Sequence, residues 1–388
     1  DEEMEGVCLY KSKELVKEAE DAREAQIELP QRDDVSMILF TTGTTGKSKG
    51  VVMTHLGDVA ISENVIQGTE MTKENVEIIP MPLNHAFGIR RYQSDMVQGA
   101  TVCLMDGMVF VGTVWKLIDK YSVTAMALSP ASLSMIFELS GDRIGEYKNQ
   151  LQYIQIGSAP LPESDKQRLI WLMPKLRLYN FYGSSEAGCS CILDFNSADN
   201  KVGCIGRPTV NSLIRFVDEN GAEVSNVCEE NPAPLAWGGT FVMKEYYKEP
   251  ELTAETMVDG YIITKDLAYL DAEGRCILVG RSDDIINYGG SKISPAEIED
   301  CARGYDQIVE CAYSSRPDTI TGECPVMLVV KRDGYDQAAF EAYLAEHLEG
   351  YKMPREYYFT DEIPKTFKGS LLRKQIKSII MEKIEGGK

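Results

Sequence analysis

Between Phe40 and His55 the chain reads FTTGTTGKSKGVVMTH, which places three glycines, four threonines and two lysines in the ten residues from Thr41 to Gly50. Backbone N–H groups, hydroxyls and ammonium groups at that density can surround phosphate oxygens. The ATPase loop with a glycine, four free positions and Gly-Lys-Ser/Thr would need a glycine at position 41, and Thr41 stands there. A P-loop ATPase is thereby set aside, and the loop must hold phosphate in another way.

Other chemistry-bearing groups recur at wide intervals. GSAPL (157–161) follows an apolar run, YNFYGSSEAG (179–188) joins an aromatic ring to a carboxylate, and ITKDLAYLD (263–271) centres on Asp266. GRSDDIINYGGSKISPAEIE (280–299) is polar at its start and glycine-paired further on, and IPKTFKGSLLRKQI (363–376) is basic. In this order and at these separations the segments resemble the adenylate-forming superfamily: acyl- and aryl-CoA synthetases, peptide-synthetase adenylation domains and luciferases. The resemblance runs from about residue 35 to 376.

The resemblance implies an enzyme that uses ATP and Mg²⁺ to turn a carboxylic acid into an acyl-adenylate and then hands the acyl group to coenzyme A. It assigns the phosphates to Thr41, Thr42, Gly43, Thr44, Thr45 and Gly46, with Lys49 adding charge. Gly157, Ser158, Ala159 and Pro160 would lie along one face of the adenine, and Tyr182, followed by Gly183, would stack on the other. Ser185 would touch the α-phosphate and Glu186 would support the metal, which prefers hard oxygen ligands. Asp266 would accept both ribose hydroxyls, Arg281 would contact ribose or phosphate, and Asp283 would be the hinge of a small mobile domain. Lys292 falls in a loop near the thiol's tunnel.

His85, Phe87 and Gly88 are the candidates for the acid's pocket. MPLNHAFGI (81–89) contains no aspartate to pair with an amino group, which favours a fatty or aryl acid over an amino acid. Two positions depart from the family pattern. Lys265 replaces a glycine, and Ser370 stands where a catalytic lysine is usual, with Lys368 the nearby cation. A ligase that loads an acyl carrier protein, and a nucleotide-binding pseudoenzyme with impaired adenylation, are the rival readings.

The elements that position these groups follow from hydrophobic spacing. Short apolar runs at 35–40, 100–105, 123–129, 151–157 and 176–183 alternate with amphipathic stretches such as 112–122 and 164–174. That rhythm predicts a large N-terminal α/β domain with mainly parallel sheets. After about residue 200 a strand-and-turn pattern predicts a β-rich subdomain, with hairpins at Glu219-Asn220-Gly221 and Glu273-Gly274. A boundary at 280/281 gives a large domain over 1–280 and a small α+β domain over 281–388, in which Ser294 is a candidate cap for a helix over 295–305. A surface helix is expected over 11–26. Only some 40 residues precede the phosphate loop, so the large domain is expected to be truncated at its N-terminus.

Composition sets limits on the function. The 388 residues are 44% hydrophobic and 26% charged, the balance of a globular chain. Sixty acidic against 40 basic side chains give a net charge of −20, which repels nucleic acid and anionic membranes. The ten cysteines contain no C-x-x-C pair and suit reduced thiols in a cytoplasm, while His55, His85 and His347 show no metal-ligand spacing. No apolar run reaches the ~20 residues of a membrane span.

Overall fold

The computed structural model describes residues 28–42, 48–105, 107–108, 110–197, 201–218, 220–365 and 371–386, the Thr42 side chain excepted. The helix expected over 11–26 lies outside them.

The chain runs through β1 (Val35–Thr42), β2 (Ser48–Thr54), α1 (His55–Thr69), β3 (Val76–Ile79), α2 (Ala86–Gln98), β4 (Thr101–Leu104), α3 (Val111–Tyr121), β5 (Ala125–Leu128), α4 (Pro130–Ser140), β6 (Tyr153–Ile156), α5 (Glu163–Leu172) and β7 (Arg177–Gly183). A β-rich stretch follows: β8 (Cys189–Asp194), β9 (Cys204–Pro208), β10 (Leu213–Phe216), β11 (Ala233–Gly238), β12 (Glu245–Tyr246), α6 (Pro250–Thr256), β13 (Met257–Val258), β14 (Tyr261–Leu270) and β15 (Cys276–Arg281). The chain then makes β16 (Ile286–Tyr288), β17 (Ser291–Ile293), α7 (Pro295–Arg303), β18 (Ile308–Asp318), β19 (Gly322–Lys331), α8 (Gln337–His347), β20 (Glu356–Phe359) and α9 (Arg373–Gly386).

One large sheet carries the strand order β10-β11-β14-β15-β9-β8-β7-β6-β5-β3-β4, with β13 paired to β14. Its β4-β3-β5-β6-β7 half is parallel, as strands joined through helices must be. From β7 to β10 each pairing is antiparallel. The α/β domain and its β-rich subdomain therefore share one sheet. The interior strands β5 and β6 are buried on both faces, which is why they read as unbroken apolar runs. On α3, Val111, Val114, Trp115 and Ile118 form one buried stripe at helical spacing.

The smaller C-terminal sheet, β17-β16-β19-β18 with β20 beside β19, is covered on both sides. Alternation along its strands explains this. Cys311, Tyr313, Met327 and Val329 face α7 and α8, whereas Ala312, Val326 and Leu328 face Ile376 and Ile380 of α9.

Two local expectations are corrected. Ser294 occupies the N-cap position of α7 but its side chain makes no capping hydrogen bond, and Pro295 alone starts the helix. The turn near Asn220 closes only the single bridge Val217–Glu223, because β10 takes β11 as its partner. The turn at Glu273-Gly274 does join a hairpin, β14 to β15.

Under α2 lies a buried ionic cluster. Arg91 pairs with Glu77, both essentially unexposed, and Tyr153 donates to Glu77 Oε2 at 3.1 Å. Burial, followed by the neighbouring Glu77, pushes the Asp95 carboxyl up to about 9. The folded chain thus keeps a proton that the unfolded chain releases near the ordinary value of about 4. This group's contribution is complete below that value and is lost as pH rises towards 9. Asp95→Asn should therefore unfold at a higher temperature than the parent at pH 8.5, with a smaller gap at pH 5. Thermal melts at the two pH values test this, and a gap independent of pH would contradict it.

Candidate active site

The side chains expected to hold the nucleoside meet where β7 ends beside the β14–β15 hairpin. Asp266 and Arg281 are direct cross-strand partners, with Arg281 Nη1 3.5 Å from Asp266 Oδ1. Tyr182 arrives from β7 and donates its hydroxyl to Asp266 Oδ2 at 2.5 Å. Its ring leans on the buried Trp237, centroids 6.0 Å apart. Burial and then the Asp266 charge push the Tyr182 hydroxyl well above its ordinary value, so it stays a donor. Beyond a ring for stacking, the structure therefore gives Tyr182 a grip on the carboxylate expected to hold ribose.

Arg281 continues to the expected hinge: its Nε lies 3.2 Å from Asp283 Oδ1, while Lys265 Nζ lies 3.1 Å from Asp283 Oδ2. Burial opposes ionisation of Asp283, but Lys265 and Arg281 outweigh it and hold the carboxyl below its usual range. Lys265, the residue that replaces the family's glycine, thus ties β14 to Asp283. Both members of that pair are substantially exposed, so Lys265→Met should cost no more than ~1 kcal/mol. Urea unfolding at low and high salt checks this. The difference should vanish at ~1 M salt, where the screening length is ~3 Å.

The side chains expected to meet the phosphates are held from β2 and β12. Lys49 is paired with Thr41 across the hairpin, and its Nζ lies 5.3 Å above the Tyr246 ring. Tyr246 in turn donates to Glu186 Oε1 at 2.6 Å. The turn bearing Ser185 and Glu186 is gripped by the buried Arg90, whose Nη1 and Nη2 donate to the carbonyls of Ser184 and Ser185 at 2.8 and 2.6 Å. Burial lowers the Arg90 pKa to about 10 against the pull of Asp58 and Glu186. The same turn is tight at its neck, since a Cβ on Gly183 would fall 1.7 Å from the Gly188 carbonyl oxygen. Glu186 is four positions on from Tyr182, so their Cα atoms lie at most ~14 Å apart. The nucleoside and phosphate groups therefore belong to one neighbourhood.

The turn after β6 carries the next group of candidates. Gly157 donates its N–H to the Leu128 carbonyl at 3.2 Å, and Ser158 adopts φ 82°, a conformation non-glycine residues rarely take. Phe87 presses against this turn: a Cβ on Gly157 would approach Phe87 Cε2 to 3.1 Å. The pocket candidate Phe87 and the adenine-loop candidate Gly157 are thus neighbours. His85 occupies the N-cap of α2, where its Nδ1 accepts from the Phe87 N–H at 3.3 Å. Gly88 is needed for close packing, a Cβ there falling 2.4 Å from the Pro82 carbonyl oxygen.

Lys292 is exposed on the β16–β17 hairpin, paired with Asn287, and is not brought against the nucleoside group. The Thr42 side chain, Gly43, Thr44, Thr45, Gly46, Lys368 and Ser370 lie outside the described residues. Arg90 and Tyr246 were not identified from the sequence. An arginine buried in an amphipathic helix and a tyrosine 60 residues from its carboxylate partner carry no local signal.

The fold is that of adenylate-forming enzymes, a large mixed α/β sheet domain followed by a smaller C-terminal domain. The chain belongs to the AMP-binding enzyme family, which it matches over residues 2–247, with the AMP-binding enzyme C-terminal domain matched over 297–369. It is 28% identical to 4-coumarate–CoA ligase-like 6 of Arabidopsis thaliana over 366 residues, 92% of this chain and 64% of that protein. Feruloyl-CoA synthase of an Amycolatopsis species is 30% identical over 349 residues, 89% of this chain and 70% of that protein. Among solved structures, ATP-bound MatB from Rhodopseudomonas palustris superposes with a TM-score of 0.82 at 25% identity, covering 95% of this chain and 73% of that one. The o-succinylbenzoate CoA synthetase of Bacillus subtilis with its acyl-adenylate superposes at 0.80 and 25% identity, covering 93% and 73%. The chain spans 61–70% of the length of the curated relatives it matches.

Proposed function

We propose that this chain carries the activity of an AMP-forming acid–CoA ligase acting on a fatty or aryl acid. The observation that supports this most is the convergence of Tyr182 and Arg281, from β7 and β15, onto the Asp266 carboxylate of β14, close to the turn that presents Glu186. A carboxylate with two oxygens suits two ribose hydroxyls, and the adjacent ring suits adenine. The family match and the ligase relatives point the same way.

In the proposed reaction an oxygen of the bound acid forms a bond to the α-phosphorus and pyrophosphate leaves. A thiolate then attacks the acyl carbon and AMP leaves with the electron pair. The chain's contribution is positioning. Arg90 holds the Ser185–Glu186 turn in place, Tyr182 fixes Asp266, and Phe87 with Gly157 frames the acid's entrance. Residues 1–280 would bind the substrates and 281–388 would turn about Asp283 between the two steps, a motion that needs only a few adaptable backbone positions.

The donor set suits Mg²⁺: Glu186 is a hard oxygen ligand with one carboxylate oxygen engaged by Tyr246. Such an ion supplies charge neutralisation on the triphosphate. Coenzyme A is the acceptor we favour, and a cytoplasmic setting fits the thiols, since all nine described cysteines are unbridged. Among the described residues no helix is long and apolar enough to cross a membrane.

Pyrophosphate release measured over a panel of aliphatic and aryl acids tests the reading. Release should depend on one class of acid, and the activated acid should then be consumed by coenzyme A in preference to an acyl carrier protein. Nucleotide binding with no acid-dependent release would overturn it in favour of a pseudoenzyme.

A further inference from the structure

Tyr246 is far from any segment that the family resemblance assigns to chemistry, yet its side chain sits between the two groups expected to meet the triphosphate. The strand β12 that carries it pairs with β2, Tyr246 opposite Val51, so the residue is anchored to the strand leaving the phosphate loop. Its ring is 4% exposed and lies under the Lys49 ammonium group. Its hydroxyl donates to Glu186 Oε1 at 2.6 Å, and its backbone N–H donates to Thr253 Oγ1 at 2.9 Å. The Glu186 main chain is fixed from the same segment, because the Met243 N–H donates to the Glu186 carbonyl at 2.7 Å.

A glutamate on a turn would ordinarily sample several rotamers, and ordering it has an entropic cost. Here one oxygen is already held and the backbone is clamped, which leaves the second oxygen to meet a ligand in a preset orientation. Outer partners of this kind orient metal-binding carboxylates and commonly change affinity by ~10–100-fold when removed. We propose that Tyr246 is a positioning residue that presents the Glu186 carboxylate to the divalent cation accompanying ATP. This rests on the metal role given to Glu186 in the function proposed above.

The test is a Mn²⁺ titration of the full chain with a non-hydrolysable ATP analogue, followed by electron paramagnetic resonance. Tyr246→Phe keeps the ring, its packing and its contact with Lys49, and removes only the hydroxyl. It should weaken Mn²⁺ binding about tenfold while metal-free nucleotide affinity and the melting temperature stay close to the parent's. Combined with Glu186→Gln, it should add nothing to the loss Glu186→Gln causes alone. Tyr246→Leu, which keeps an apolar side chain at this position and likewise lacks the hydroxyl, should shift Mn²⁺ affinity in the same direction, and it carries the test should Tyr246→Phe not fold. Unchanged Mn²⁺ affinity in the folded variants overturns the proposal, as does an equal loss of metal-free nucleotide binding. Pyrophosphate release plays no part in this titration. A chain that activates no acid would therefore sink the ligase reading while the positioning role is still measured.

Discussion

Replacing Asp266 with alanine is expected to lower kcat/KM for ATP by about 100- to 1,000-fold, from the loss of two charge-assisted hydrogen bonds to ribose. The structure adds to the expected loss. Asp266 receives the Tyr182 hydroxyl at 2.5 Å and faces Arg281, which also reaches Asp283. Removing the carboxylate leaves a phenol without its acceptor and frees an arginine to pair with Asp283 alone. Asp266→Asn retains one acceptor oxygen and should fall between parent and alanine variant. Initial-rate measurements at varied ATP check the prediction, and a loss below fivefold would mean that Asp266 does not hold the nucleotide.

The second large effect is a gain. Ser370 ends the stretch TFKGS; by the resemblance to adenylate-forming enzymes, a lysine is expected at this position, where it would meet charge developing between the carboxylate and the α-phosphate. A preorganised cation or donor at such a place contributes about 100-fold or more to the rate. Ser370→Lys should raise kcat for pyrophosphate release by about that factor with little change in KM for ATP, the pattern of a contact made only in the transition state. Thioester formation from a supplied acyl-adenylate should be unaffected, because that step does not use the residue in this account. A variant that speeds both steps equally, or neither, would remove Ser370 from the adenylating machinery.

How much of this could be read beforehand varies with the length scale of the signal. The strands β5 and β6 announce themselves as short apolar runs because both faces are buried, and α3 shows its stripe at 3–4 residue spacing. Tyr182, Asp266 and Arg281 were legible through the segments that contain them, since a backbone-defined motif fixes which residue points where. The rest depended on pairings between distant strands. Nothing in SLIRFVDENGAEV states that β10 prefers β11 to its own return strand, because a good turn supplies one bridge while β11 supplies a four-residue ladder. Ser294 has the right residue type for a cap, but its side chain is buried and makes no hydrogen bond to the helix end. Arg90 and Tyr246 act across 94 and 60 residues of sequence. Their partners are a carbonyl and a carboxylate that only the folded sheet brings near.

The account turns on whether separate patches of the chain hold one adenine nucleotide. A crystal structure with AMP bound tests this most directly. The account predicts both ribose hydroxyls on Asp266, the adenine between Tyr182 and the Gly157–Pro160 turn, and the phosphate directed towards Ser185 and Lys49. AMP bound elsewhere, with Tyr182 and Asp266 still joined only to each other, would contradict it.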